Sequence, residues 1–215
     1  GFRLDAVKHI DSFFMKNFIR DITEKYGDDF YVFGEFWNSD EKANNDYLEN
    51  IDYRFDLVDV KLHHNLFDAS KSGADYDLRT IFDQTLAKNH PESAVTFVDN
   101  HDTQRGQALE STVEEWFKPA AYALILLREA GLPCVFYGDY YGISGEFAQE
   151  SFQELLDKLL DIRLNLAYGE QIDYLDDANC IGWTRQGKDD GQPIAVLINN
   201  DQATSKSMLV GTEWA

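Results

Sequence analysis

Three short runs in this chain each place a carboxylate directly after an apolar, strand-like segment. Gly1-Phe2-Arg3-Leu4-Asp5 ends on Asp5, and Phe30-Tyr31-Val32-Phe33-Gly34-Glu35 ends on Glu35. Val95-Thr96-Phe97-Val98 leads into Asp99-Asn100-His101-Asp102. In the first run side chains alternate, so Arg3 and Asp5 share one face while Phe2 and Leu4 share the other. An arginine beside Asp5 keeps it ionised, as a nucleophile requires, although a purely structural ion pair would look the same in sequence. Glu35 is followed by Phe36-Trp37, and apolar surroundings favour the protonated form that a general acid needs. In the third run, two carboxylates and a histidine packed so tightly would cost stability unless they had a task. A metal cluster is the rival reading there, but the spacing matches no zinc motif.

Carboxylates at the C-terminal ends of different strands fit the chemistry of glycoside hydrolysis. A retaining enzyme uses a nucleophile and an acid/base about 5–5.5 Å apart, one on each side of the anomeric carbon. A third carboxylate can bind sugar hydroxyls. Trp37, Tyr140 and Tyr141 could offer flat faces to sugar rings, with core packing the commoner use of such residues.

The elements that must hold these residues alternate along the chain. Strands are expected at 1–5, 30–34, 56–62, 94–98 and 133–137, with helices between them. Ile10, Phe14, Phe18 and Ile22, widened by Phe13, mark an amphipathic helix that stops at Gly27. A second helix opens at Pro119 and ends by Gly131. Ser151 and Glu154 read as a capping box for a third, carrying Leu155, Leu156, Leu159 and Ile162. After Tyr168-Gly169 the helical period vanishes, and strand-like pieces at 171–175, 180–185, 194–199 and 207–210 alternate with Asp, Asn and Gly turns. Residues 1–168 are therefore expected to be β-α units and residues 169–215 an all-β module. From the pattern alone, a barrel and an open doubly wound sheet both remain available.

With 215 residues and 44% hydrophobic content, the chain can bury one sizeable core and a satellite. No apolar run reaches the length of a membrane span. A net charge of −20 makes nucleic acid a poor partner. Cys134 and Cys180 have neither metal nor disulfide-framework spacing, which leans towards a reducing, cytoplasmic compartment over secretion, and Cys134 is expected to be a small buried hydrophobe.

The runs Gly1-Phe2-Arg3-Leu4-Asp5-Ala6-Val7-Lys8-His9, Gly34-Glu35-Phe36-Trp37 and Phe97-Val98-Asp99-Asn100-His101-Asp102-Thr103-Gln104 resemble three ordered blocks of the α-amylase family. Their intervals resemble the bacterial liquefying and maltohexaose-forming subgroup, and the resemblance covers nearly the whole chain. It implies the C-terminal portion of a (β/α)8 TIM barrel followed by part of a β-sandwich, with the first three barrel strands and a calcium-holding subdomain lying outside this chain. It also implies an α-1,4-glucan substrate and a monomeric full-length enzyme. By the same resemblance Asp5 is the nucleophile, Glu35 the acid/base and Asp102 the transition-state stabiliser. Arg3 orients Asp5, His101 binds the sugar at the cleavage point, and Lys8, His9 and Trp37 contact the leaving-group side. Calcium is the implied cofactor. The His9 carbonyl matches a ligand of a structural calcium, and Tyr76, Ala178 and Asn179 match a second calcium site where family members carry aspartate in place of Asn179. A glucanotransferase, an inactive binding relative and a metal-dependent hydrolase are the rival readings.

Overall fold

The alternation of apolar strands and helices folds, in a computed structural model, as a parallel sheet whose strands lie side by side in chain order. The strands are β1 (Phe2–Leu4), β2 (Val32–Gly34), β3 (Asp56–Val58), β4 (Ala94–Phe97) and β5 (Leu132–Cys134), in the order β1-β2-β3-β4-β5. The pairs from β1 to β4 are parallel, with Leu4 opposite Gly34, Gly34 opposite Leu57 and Val58 opposite Val95. A doubly wound sheet would reverse its strand order part-way, whereas unbroken succession is the barrel pattern. The structure describes residues 1–188, 191–211 and 213–214, with the side chains of the last two left aside. Two units divide the chain: Gly1–His64, Phe82–Phe97 and Ala130–Leu132 form the first, and Asn65–Ile81, Val98–Glu129 and Pro133–Ala215 the second.

In the first unit, α1 (Ser12–Tyr26) follows β1. Its N-cap Asp11 accepts a hydrogen bond from Phe14 N at 2.8 Å, and Gly27 ends it at φ 93°. The expected apolar stripe is not the buried face of the helix, for Ile10 and Phe18 are exposed and Ile22 is half-buried. α1 buries Met15 and Ile19, while Phe13 and Phe14 stay 70% and 58% exposed. Here β1 lies at the edge of the sheet, and α1 packs beside α2 (Glu41–Asn50). Phe18 stacks on Phe2 at 6.5 Å. Helix α2 escaped the sequence reading because it buries Asn44, Tyr47 and Leu48, not a four-residue apolar stripe.

The third expected strand is too long. β3 stops at Val58, and α3 (Val60–Ser72) takes up residues 60–62, where strand is expected. The cause is Asp59, fully buried, whose carboxylate accepts from Leu62 N at 3.0 Å and so caps the helix. It also accepts from Ala87 N, at 2.8 Å, in the short helix α4 (Leu86–Asn89). β4 is buried throughout, as an interior parallel strand should be. β5 ends the sheet on the other side, and Cys134 is exposed there instead of buried as expected. An edge strand has a neighbour on one side only, which an apolar run in sequence cannot reveal. The strand also ends at Cys134, before the expected Tyr137, which opens α6 (Tyr137–Tyr141).

The second unit holds α5 (Lys118–Leu126), α6 and α7 (Gln153–Asn165). α5 starts with Pro119 in its first turn as expected but stops short of Gly131. At α7, Ser151 Oγ accepts from Gln153 N at 3.1 Å, so the expected capping box with Glu154 is replaced by a tighter turn. The antiparallel sheet β6-β7-β8 comprises Gln171–Tyr174, Cys180–Arg185 and Ile194–Asn199, and β9 (Leu209–Val210) pairs with β10 (Glu213–Trp214). Trp183 on β7 anchors this module. It is fully buried, donates to Leu127 O at 3.3 Å, and lies under the Arg128 guanidinium at 5.3 Å. Arg128 in turn holds Asp173 on β6 through two hydrogen bonds of 2.8 Å.

Candidate active site

β1 and β2 bring Arg3, Asp5 and Glu35 together. The ladder continues past β1, with Glu35 N donating to Leu4 O at 2.8 Å and Val7 N donating to Glu35 O at 3.1 Å. The backbone of Glu35 is thus clamped on both sides. Arg3 stands opposite Phe33, one residue before Gly34. Its guanidinium forms one ion pair with Asp5 and a second with Glu35 Oε1, at 3.0 Å. Ala6 takes the left-handed conformation, φ 48°, and its N–H donates to Glu35 Oε2 at 3.1 Å. A non-glycine residue there is strained, and the turn it makes is what aims the amide at the carboxylate. Glu35 is 8% exposed, as its aromatic neighbours predicted, but its two donors were not legible in sequence. Asp5 remains open, with its side chain 76% exposed.

Gly34 sets the spacing of this group. A Cβ there would lie 2.7 Å from the Phe55 ring and 3.1 Å from Val7 Cγ2, so no larger residue lets β2 approach so closely. Lys8 and His9 are exposed, and Lys8 Nζ donates to Trp37 O at 3.3 Å. Trp37 is half-buried against Val58, Val60, Val95 and Phe97, so much of its ring serves the core.

In the second unit the chain leaves β4 and makes a tight polar turn. Asn100 Oδ1 accepts from Asp102 N at 2.9 Å and Thr103 N at 3.0 Å, while Thr103 Oγ1 accepts from Asn100 N at 2.9 Å. His101 Nε2 lies 3.3 Å from Asp102 Oδ2, with both side chains substantially exposed. The base of the turn is Asp99, 2% exposed, whose Oδ1 accepts from Val113 N at 3.2 Å and Thr103 Oγ1 at 3.2 Å. Its Oδ2 lies 3.0 Å from Lys118 Nζ. Lys118, fully buried at the start of α5, also pairs with Asp139 on α6 and donates to Gln149 Oε1 at 3.0 Å. Tyr122, also fully buried, donates to Asp139. Burial pushes the Asp99 carboxyl up to about 7, with Lys118 opposing and Asp139 reinforcing the shift. Burial also pushes the Tyr122 hydroxyl well above its ordinary range. This hub was missed in sequence. Asp99 could be suspected from its motif, but Lys118 and Asp139 lie in unrelated runs. Tyr140 hydrogen-bonds Asp157 on α7 at 2.6 Å, whereas Tyr141 is 58% exposed.

The residues matched to the second calcium site do meet in the second unit, but with the wrong polarity. The Asn179 side-chain N–H group donates to Ala74 O at 2.7 Å, and the Ala178 carbonyl accepts from Leu78 N at 2.7 Å. Calcium needs converging oxygen ligands with anionic charge, so these residues do not fit it. Among the described residues no group of three or more His, Cys, Asp or Glu side chains could hold a metal ion.

The α-amylase catalytic-domain family model matches residues 1–186. The chain belongs to that family. It is 47% identical over its whole length to a glucan 1,4-α-maltohexaosidase of Bacillus sp. (strain 707), of which it covers 42%. It is 40% identical, again over its whole length, to the cytoplasmic α-amylase of Escherichia coli (strain K12), covering 45% of that protein. Among solved structures, the α-amylase of Geobacillus thermoleovorans in complex with acarbose superposes with a TM-score of 0.63 at 25% identity, over 91% of this chain and 48% of that one. The chain thus spans less than half the length of each of these three proteins. Its fold is the C-terminal portion of a TIM barrel followed by antiparallel β structure, as the sequence implied.

Proposed function

We propose that this α-amylase-family chain carries the catalytic carboxylates of an enzyme that hydrolyses internal α-1,4-glucosidic bonds of starch, glycogen or maltodextrins with retention of configuration. The observation that carries the proposal is the single Arg3 guanidinium joined to both Asp5 and Glu35 at the ends of adjacent parallel strands. One planar fork holding two carboxylates keeps them near neighbours, the arrangement that retaining chemistry needs.

In this reading Asp5, the open carboxylate, attacks the anomeric carbon from one side, with Arg3 orienting it. Glu35 donates a proton to the departing glycosidic oxygen and then takes one from the incoming water. Asp102 binds ring hydroxyls and favours the distorted, oxocarbenium-like transition state, and His101 binds the same sugar. Lys8, His9 and Trp37 contact the leaving-group side. Calcium, if bound through the His9 carbonyl, supplies a structural cross-link and no chemical step. The boundary between barrel and β-sandwich falls at 168/169. The whole enzyme is a monomer, cytoplasmic in preference to secreted.

The test is proton NMR of the first-formed product from maltodextrin with the complete enzyme. Retention requires the α-anomer to appear first, and a β-anomer sinks the assignment. Product analysis with maltoheptaose separates hydrolysis from glucanotransfer.

A further inference from the structure

Three backbone carbonyls, those of Gly73, Ala74 and Tyr76, converge beside the end of β8 in the second unit. All three are taken by side-chain amide N–H groups. Asn200, 7% exposed, donates through Nδ2 to Gly73 O at 2.8 Å and Tyr76 O at 2.9 Å. Asn179 donates through Nδ2 to Ala74 O at 2.7 Å and to Asn200 Oδ1 at 3.0 Å. Both hydrogens of each amide group are therefore used. Backbone bonds run alongside, from Asn200 N to Asn179 O at 3.2 Å and from Leu78 N to Ala178 O at 2.7 Å.

The orientation of these amides follows from chemistry. A carbonyl oxygen only accepts hydrogen bonds, so nitrogen, not oxygen, must face Gly73, Ala74 and Tyr76. A cluster of carbonyls is what a hard cation would take, with an aspartate or glutamate to supply charge. Here the positive ends of two amide dipoles occupy that place. A cation would have to displace the three N–H groups on these carbonyls, and neither asparagine offers an anionic ligand in return.

We propose that Asn179 and Asn200 form a metal-free clasp that joins the 73–76 turn to the β7–β8 edge, replacing a cation bridge. The clasp makes this junction's stability independent of calcium. It does not depend on the roles given to the catalytic carboxylates.

The experiment uses the complete enzyme, its Asn179→Ala variant and its Asn200→Ala variant. Bound calcium is counted by equilibrium dialysis, and thermal unfolding is followed in calcium and in EDTA. Each variant should bind as many calcium ions per chain as the parent. Each should lower Tm by about 2–4 °C or more, by the same amount in both buffers. A variant that binds one calcium fewer than the parent would overturn the proposal, since the site would then hold a cation. So would a loss of Tm seen in calcium but not in EDTA, or no loss in either buffer. If one alanine variant does not fold, Asn179→Ser, which keeps a small polar side chain, takes its place in the calcium count.

Discussion

At the scale of single residues, the assignment stands on one arginine serving two carboxylates. Asp5→Asn and Glu35→Gln in the complete enzyme should each lower kcat by about 10²–10⁴ or more, the range for removing a nucleophile or general acid. Steady-state assays on maltoheptaose check this, and near-normal turnover of Glu35→Gln would remove it from the acid/base role. Arg3→Lys asks a finer question. Lysine keeps the charge but presents a point donor, so it cannot hold Asp5 and Glu35 through one planar fork. Loss of one charge-assisted hydrogen bond of about 1.5–3 kcal/mol corresponds to roughly a tenfold or larger drop in kcat/KM. The drop should fall mainly on kcat, because Arg3 holds both carboxylates.

At the scale of elements, the turn that carries Asp102 depends on groups beyond its own motif. Asp99 closes the turn, Lys118 neutralises Asp99, and Asp139 and Gln149 fix Lys118. Lys118→Met keeps most of the side-chain volume but leaves two buried carboxylates without a counter-charge. It should cost about 3–5 kcal/mol, measured by denaturant unfolding. The same hub gives a pH dependence. Asp99 is raised by burial from an ordinary 3.8 to about 7, and Asp59 likewise from 3.8 to about 6. The folded chain therefore binds more protons than the unfolded chain between pH 4 and these values. Stability contributed by these two carboxyl groups is fully present below pH 3.8 and declines as pH rises through 6 and 7. Asp59→Asn should flatten the part of this decline that lies between about pH 4 and pH 6, as read from unfolding midpoints across pH 4–8.

For the whole molecule, the sheet has two ends. β1 and β5 each have one strand neighbour, and α1 leaves Phe13 and Phe14 facing water. A closed eight-stranded barrel has no such edges. The 215-residue chain on its own should therefore hydrolyse soluble starch at no measurable rate. Edge strands and exposed aromatics also favour association, so light scattering should reveal oligomers. Clear turnover by a monomeric chain, with slow hydrogen exchange in β1 and β5, would show that five strands suffice.

Sequence by itself determined what is local or periodic. Strand-to-helix alternation, the Gly27 end of α1, the Arg3–Asp5 face and the three motif runs all follow from side chains near one another in the chain. The all-β grammar after Gly169 was equally plain, and β7 and β8 have the boundaries that turn residues marked. Tertiary structure alone decided what depends on partners distant in sequence. It put β5 at an edge and so exposed Cys134, and it turned Asp59 from a strand residue into a helix cap. It gave Glu35 an amide from strained Ala6 as well as the Arg3 fork. It gathered Lys118, Asp99 and Asp139 from three runs into one buried hub, and it pointed Asn179 at a carbonyl as a donor. Periodicity records which face of an element is apolar, but a hydrogen bond between residues far apart in the chain leaves no period to read.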